Sequence, residues 1–558
     1  MDVGNWLTVE EIIEKIKHSQ DGEIFQRLFY DGDISGYPSH SEADLALMNR
    51  FPFWTNGNPR LMEELFSLSA LGQRNKWLSR EDYRKRTIET ALKGWNGVAY
   101  TMPKLETLPL TDEGNAKRVK MLYGNVLRFV DGGMWYKFNG KYWETIKKDN
   151  GIFDLACEAM KKSREACFKA GADEKVLKFF RMSTNTPKVK AMIEQLKGLL
   201  PARATDFDKD KWKLNCLNGV VDLKTGKLLP HDGKYMQSHI TNAELHDSIS
   251  DKGKRELELV LQSQPDPETR RYLQKWGGYM LTGDTGEEKI LFLVGEGGSG
   301  KSTFINAIYG TLGTYAGNID VEVLLARNNI GNGEGATPQM ASLVNKRLAL
   351  TSESNHGRNL NEAKIKLLTG NDQITARFLN CQSFTYEPSF KLVIQSNYLP
   401  NITNGRDTGI IRRLAIVPFE ASFAKMDRGL KERLKEPDVR NAILRWLVDG
   451  CLFWQKEGLD NPPPAVQAQI DEYIKDNDPV GNFLEACCKY DGKGKTTLAR
   501  LHDCFCFWYD GNTYKPAISA KSFSKQVQSI TKGKDVMFRR TTGGMVFYGL
   551  TCNYDPSE

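Results

Sequence analysis

One stretch limits the possible folds more than any other: residues 289–308, KILFLVGEGGSGKSTFINAI. Residues 289–294 are an apolar run of strand character, residues 295–302 fit G-x-x-x-x-G-K-[ST], and the chain from Thr303 onward has helical patterning. Strand, glycine-rich turn and helix in that order predict a P-loop. Gly295, Gly297, Gly298 and Gly300 let the backbone curl until its N–H groups face phosphate oxygens. The helix N-terminus adds positive potential at the same point. The expected nucleotide contacts are Gly295, Glu296, Gly297, Gly298, Ser299, Gly300, Lys301, Ser302 and Thr303. Lys301 would reach the β- and γ-phosphates, and the Ser302 hydroxyl would take one position on Mg²⁺. ATP and Mg²⁺ are the cofactors this implies.

A chain of 558 residues exceeds one hydrophobic core and suggests about three or four domains. With 26% charged and 40% hydrophobic residues it has the composition of a soluble globular protein. A formal net charge of +7 permits a polyanionic partner without requiring one. No run approaches the roughly 18 apolar residues of a membrane span, and the N-terminus MDVGNWLTVEEIIEKIKHS is acidic and amphipathic rather than signal-like. Ten scattered cysteines fit a reduced, cytoplasmic setting. The densest group, Cys487, Cys488, His502, Cys504 and Cys506, lacks C-x₂-C spacing and is expected to pack as small apolar side chains.

Composition shifts divide the chain. Residues 1–100 read as a helical module, with a break at Asn56-Gly57-Asn58-Pro59, and residues 101–111 as a linker. Residues 112–250 read as an α+β collar: a helix, short aromatic strands turning at 131–133 and 139–140, helices over 153–170 and 187–199, and a β region over 214–233. Residues 251–425 hold the P-loop, reached through helices over 255–280 with Trp276-Gly277-Gly278 as the join. Residues 426–464 are a helical extension ending in Asn461-Pro462-Pro463-Pro464, and residues 465–558 a further domain. In that last domain, helices over 496–509 and 519–530 and a hairpin over 537–549 suggest a winged helix. Between Lys521 and Arg540 four lysines and two arginines face one aspartate, a local balance of +5. Lys521, Lys525, Arg539 and Arg540 are therefore candidates for duplex phosphate contact, against the simpler reading of a solvated face.

Beyond the P-loop, the strand-like residues 348–352 end at Glu353, the candidate to polarise the attacking water and help hold Mg²⁺. Ser352 stands where many P-loop ATPases carry a second acid, so one carboxylate must serve both purposes or the metal is held partly through water. Asn397, polar at the end of the apolar run FKLVIQSNYLP, suits a sensor of the γ-phosphate. Arg412 and Arg413 open another strand-like run, and a guanidinium there could stabilise transition-state charge at a neighbouring subunit's nucleotide by on the order of 10³-fold.

The order P-loop, Glu353, Lys366 with Gly370 and Asp372, Asn397, then Arg412-Arg413 resembles superfamily 3 helicases, above all the phage, plasmid and poxvirus-type primase-helicases. The resemblance covers residues 112–425 best. It implies a multidomain α/β protein with an AAA+ P-loop ATPase core, an N-terminal helical and α+β region and a C-terminal winged-helix-like domain. Lys366 to Arg377 matches the motif that leads into a channel hairpin gripping single-stranded DNA, with its tip near Asn380-Cys381-Gln382, so Lys366 and Arg377 are expected DNA contacts. Within the arginine pair Arg413 best fits the trans finger, with Arg412 second.

Residues 41–77 resemble the helical tail that follows the catalytic core of primase-polymerases, whose acidic metal ligands would lie upstream; primase activity is thus expected only from another polypeptide. The resulting expectation is an ATP-driven replicative DNA helicase of a mobile element. It would act as a homo-oligomeric ring, a hexamer by the resemblance, on single-stranded and forked DNA, away from membranes. An origin-binding initiator that melts DNA without processive unwinding is the alternative. A small-molecule kinase is disfavoured by the motif order.

Overall fold

The computed structural model describes residues 9–17, 19, 21–100, 104–130, 133–146, 150–326, 338–352, 358–377, 383–403, 405–423, 427–512, 518–542 and 544–554. Glu353 and the expected hairpin tip, Asn380-Cys381-Gln382, lie outside them. The chain divides into two compact units, residues 1–110 with 163–178, and residues 111–162 with 179–558.

The first unit is helical. His40–Met48, Phe51–Thr55, Pro59–Ser67 and Glu81–Lys93 bury Leu47, Phe51, Met62, Leu65, Phe66 and Trp77 in one core. The predicted break is a left-handed turn at Asn56 and Gly57, followed by Asn58, whose side chain accepts from the Arg60 and Leu61 N–H groups to start the next helix.

In the second unit a five-stranded sheet carries the architecture. Its spatial order is Leu414–Pro418, Ile290–Val294, Lys391–Ser396, Leu348–Ser352, Ala316–Asn318, every neighbouring pair parallel. In chain order these are the fifth, first, fourth, third and second strands. Their apolar runs are buried on both faces, as a helix-covered parallel sheet requires. The 204–245 segment is anchored at the N-terminal edge of this sheet. There the buried Arg347 guanidinium donates to the carbonyls of Asp210, Lys211 and Lys213. Beside it Lys391 Nζ donates to Thr282 and to the Ser389 carbonyl, and burial pushes its pKa well below the usual lysine range. These two side chains are thus committed to structural contacts at this edge, while the C-terminal edge carries the glycine-rich loop.

Two expectations shift. Trp276-Gly277-Gly278 is no join but the interior of the Pro267–Leu281 helix, where it crosses Pro437–Glu457. A Cβ on Gly278 would lie 2.0 Å from Cys451 N, and one on Gly450 2.0 Å from the Gln274 carbonyl oxygen. The glycines are there for backbone contact between helices, which helical periodicity alone does not distinguish from a break. Likewise the Pro464–Asp476 helix buries Val466, Ile470 and Tyr473 in the core of the sheet, so the last globular part starts near Asp478 rather than at Ala465. Its elements are helix Pro479–Cys487, strand Cys488–Thr497, helices Leu498–Asn512 and Ala520–Thr531, and strands Met537–Thr541 and Gly544–Cys552. The three strands pair antiparallel with the last in the middle. Cys487, Cys488 and Cys504 lie in the core of this part. The unexpected first strand, CKYDGKGKTT, has no hydrophobic alternation because it is an edge, with its register interrupted between Tyr490 and Lys495. Among the described residues no helix is long and apolar enough to cross a membrane.

Gly278→Ala tests the crossing. Helix propensity favours alanine by about 1 kcal/mol, yet the overpacked interface should cost about 1–3 kcal/mol and lower the melting temperature. Gly310→Ala, in helix Lys301–Leu312 with nothing nearer than 4.0 Å to the added methyl, should instead be neutral or stabilising.

Candidate nucleotide site

The apolar strand Ile290–Val294 delivers the chain to the C-terminal edge of the sheet, and the glycine-rich loop turns it into helix Lys301–Leu312. Gly298 and Gly300 take φ of 87° and 89°, values that side-chain-bearing residues avoid. A Cβ on Gly295 would sit 2.1 Å from the Phe419 carbonyl oxygen, and one on Gly300 2.5 Å from Ser263 Cβ. The spacing of the motif is therefore met by steric need at this loop. Lys301 is buried, and its Nζ donates to the carbonyls of Gly295 (2.7 Å) and Glu296 (3.0 Å) and to Asn397 Oδ1 (2.6 Å). Asn397 follows the Lys391–Ser396 strand, next to Ile290–Val294 in the sheet, so parallel pairing brings together two residues 96 positions apart.

A cavity of about 640 Å³ opens over the loop. Gly297 to Thr303 form its floor, Gln395, Ser396 and Asn397 one side, and the end of helix Asp251–Leu261 with Phe423 and residues 427–431 the other. Ion pairs of Arg433 with Asp427 and Glu256 fasten that last wall to the helix. Two buried side-chain atoms without a hydrogen-bond partner, Ser299 Oγ and Gln395 Oε1, belong to residues lining the cavity. Loop, helix N-terminus, buried lysine and the unpartnered Ser299 hydroxyl fit a phosphate-bearing ligand in volume and in donor set. Ser302 is exposed at the first turn of the helix, where its hydroxyl could join a metal ion's shell.

The arginine pair divides unequally. Arg413 is buried and saturated within its own chain: Nη2 donates to Glu288 Oε2 (2.7 Å), Nε to Thr369 Oγ1 (3.1 Å) and Nη1 to the Gly409 carbonyl (2.6 Å). Arg412 shares the same Glu288 oxygen at 2.5 Å, but its side chain remains 63% exposed. The expected order of the two is thus reversed for any role that needs reach. Lys366, expected on DNA, instead pairs with Asp407 at 2.7 Å and holds that carboxyl below its usual range; Asp407 in turn caps helix Thr408–Ile411 just before the arginines. The Lys366 motif therefore builds the arginine turn. Arg377 is exposed where strand Ile374–Ala376 of the antiparallel pair ends.

In the C-terminal part Lys521 and Lys525 are exposed four residues apart on one helix face. Arg539 and Arg540 are exposed on strand Met537–Thr541, where successive side chains point to opposite faces, so the two do not share a surface. Sequence reasoning missed Glu288, for which no local signal exists. It also missed Gln395, a polar residue in an apolar strand two positions before Asn397.

Four known families match parts of the chain. A D5 N terminal like family matches residues 116–276 and a poxvirus D5 protein-like family residues 475–553. The NrS-1 polymerase HBD domain matches residues 40–100, and a family of unknown function (DUF5906) residues 293–413. "Putative helicase L207/L206" of Acanthamoeba polyphaga mimivirus is 24% identical over 72% of this chain and 45% of its own length. "Putative helicase 022R" of Frog virus 3 is 28% identical over 45% of this chain and 27% of its own, and "Putative primase C962R" of African swine fever virus 22% over 64% and 40%. The chain spans less than half the length of these curated relatives. An apo structure of the NrS-1 C terminal region aligns over 77% of this chain and 97% of its own, with a TM-score of 0.46 and 9% identity. D5-type family models thus match on either side of the loop-bearing sheet, and together with these viral relatives they support a protein of D5 primase-helicase type.

The arginine turn offers a direct check of the geometry. Arg413→Ala should lower stability by about 1.5–3 kcal/mol, because it removes charged hydrogen bonds from a buried site. Arg412→Ala should stay within about 0.5 kcal/mol of the parent. Thermal unfolding of the two variants compares them; equal losses would remove the distinction.

Proposed function

We propose that the protein is an ATP-hydrolysing motor of DNA replication, an AAA+ P-loop ATPase of superfamily 3 helicase type that works as a ring of identical subunits. The observation that carries this is the hydrogen bond from Lys301 to Asn397 at the C-terminal edge of the parallel sheet. It joins the phosphate-binding lysine to the sensor position, and the strand order fifth, first, fourth, third, second supports the AAA+ reading. Lys301 and the loop N–H groups would hold the triphosphate. Ser302 and Glu353 would hold Mg²⁺, which would supply charge neutralisation at the β- and γ-phosphates. The helicase names of the mimivirus and Frog virus 3 relatives favour the same reading; a cytoplasmic replication setting is part of the proposal.

The arginine turn supports action between subunits. Arg412 precedes the five-residue strand Leu414–Pro418, whose far end lies at the cavity edge of the sheet. Five residues at about 3.3 Å each put the turn roughly 16 Å along the strand axis from that edge, too far for the side chain to serve its own nucleotide. A phosphate reached by Arg412 would then belong to a neighbouring subunit, with Arg413 and Glu288 holding the turn in shape. Single-stranded DNA would run past the Ile374–Ala376 and Phe384–Tyr386 hairpin, with Arg377 beside it. The helix, strand, helix, helix, strand, strand order of the C-terminal part supports a winged-helix reading, with Lys521 and Lys525 on duplex phosphates. Forked DNA and a separate primase are the partners this role calls for.

Lys301→Ala should abolish ATP hydrolysis; turnover at the parental rate would refute the nucleotide assignment. Mixing Lys301→Ala with Arg412→Ala subunits should restore part of the ATPase activity, since some interfaces then combine an intact loop with an intact arginine. No recovery would count against a shared site. Lys521→Glu with Lys525→Glu should weaken duplex binding and reduce the slope of log affinity against log salt by about 2. An unaltered slope would return that helix to a solvated surface.

A further inference from the structure

One polar group in the cavity has no part in the function as proposed so far. Gln395 lies in the strand between the one that feeds the glycine-rich loop and the one that ends at Ser352: its backbone is in register with Leu293 on one side and Ser352 on the other. It lines the cavity together with Asn397 and the loop. Its amide oxygen is buried and accepts no hydrogen bond. A buried acceptor left unsatisfied costs free energy, and a ligand or a water that reaches it recovers that cost.

The chemistry of the cavity narrows what that partner is. The loop starts one residue beyond Val294, which pairs with Ser396, so Gln395 stands at the phosphate end of the cavity. Phosphate oxygens only accept hydrogen bonds and cannot satisfy an amide oxygen. A water molecule beside the γ-phosphate can. We propose that Gln395 Oε1 accepts a hydrogen bond from the water that attacks the γ-phosphate and so fixes its line of approach.

This rests on the nucleotide reading of the cavity. In the step served, the water oxygen forms a bond to the γ-phosphorus as the bond from that phosphorus to the β,γ-bridging oxygen breaks. ADP departs with the electron pair, and the water proton passes to a carboxylate, for which Glu353 is the sequence candidate, or to a phosphate oxygen. Gln395 takes no proton, because an amide oxygen is too weak a base; it orients.

Two near-isosteric variants of the full chain test this. Gln395→Met removes the acceptor, and Gln395→Glu keeps it. For Gln395→Met, kcat for ATP should fall about 10- to 100-fold, the loss expected of a misplaced nucleophile. Equilibrium binding of a fluorescent non-hydrolysable ATP analogue should stay within about twofold, since no ground-state phosphate contact is lost. The melting temperature without nucleotide should be unchanged or raised, because an unsatisfied buried acceptor has gone; a merely structural glutamine would lower it. Gln395→Glu keeps an acceptor at the cost of a charge near the phosphates, and should retain clearly more turnover than Gln395→Met. The inference is overturned if Gln395→Met hydrolyses ATP at the parental rate, if both variants lose turnover equally, or if the loss follows weakened analogue binding. A parent protein that neither binds the analogue nor hydrolyses ATP would instead defeat the nucleotide reading itself.

Discussion

A parallel sheet buried on both faces leaves polar chemistry only two places to work, the two edges formed by its strand ends. The placement of polar groups around this sheet follows from that constraint. At the N-terminal edge the Arg347 Nη atoms and the Lys391 amine donate mainly to backbone carbonyls, those of Asp210, Lys211, Lys213, Thr282 and Ser389. At the C-terminal edge the carbonyl-rich loop, the helix N-terminus and Asn397 converge around a single lysine. Parallel strands end together, so residues far apart in sequence meet at that edge without any long-range side-chain interaction to bring them there.

The same constraint separates the arginines from the cavity. They sit where a strand begins, while the loop sits where its neighbour ends. Glu288, in a left-handed backbone conformation just before the loop-feeding strand, holds both guanidinium groups on one carboxylate oxygen. Thr369, Gly409 and the Lys366–Asp407 pair complete the support. Two arginines, a lysine and two carboxylates are thus committed to one turn at the edge opposite the cavity, and they leave the Arg412 side chain exposed there.

The loop, its helix, the strand that leads to Asn397 and the helical first unit could be read directly, because each depends on local patterning: apolar runs, glycines at fixed offsets, caps. Elements lacking such patterning escaped. Strand Cys488–Thr497 is a solvated edge, and the glycines at 277 and 278 look like a helix break until the partner helix is seen. The domain boundary after the prolines was misplaced because Pro463 and Pro464 open a helix as readily as they end one.

From the sequence alone came the candidate phosphate-binding residues, since steric and electrostatic needs of a tight anion-binding turn leave few alternatives to glycine, lysine and serine at those offsets. Tertiary structure alone decided which arginine is exposed, that Lys366 braces the arginine turn, and that Gln395 brings an unsatisfied acceptor to the phosphate end of the cavity. Those properties depend on what lies across a strand pair or a helix crossing, and sequence spacing carries no record of neighbours a hundred residues away.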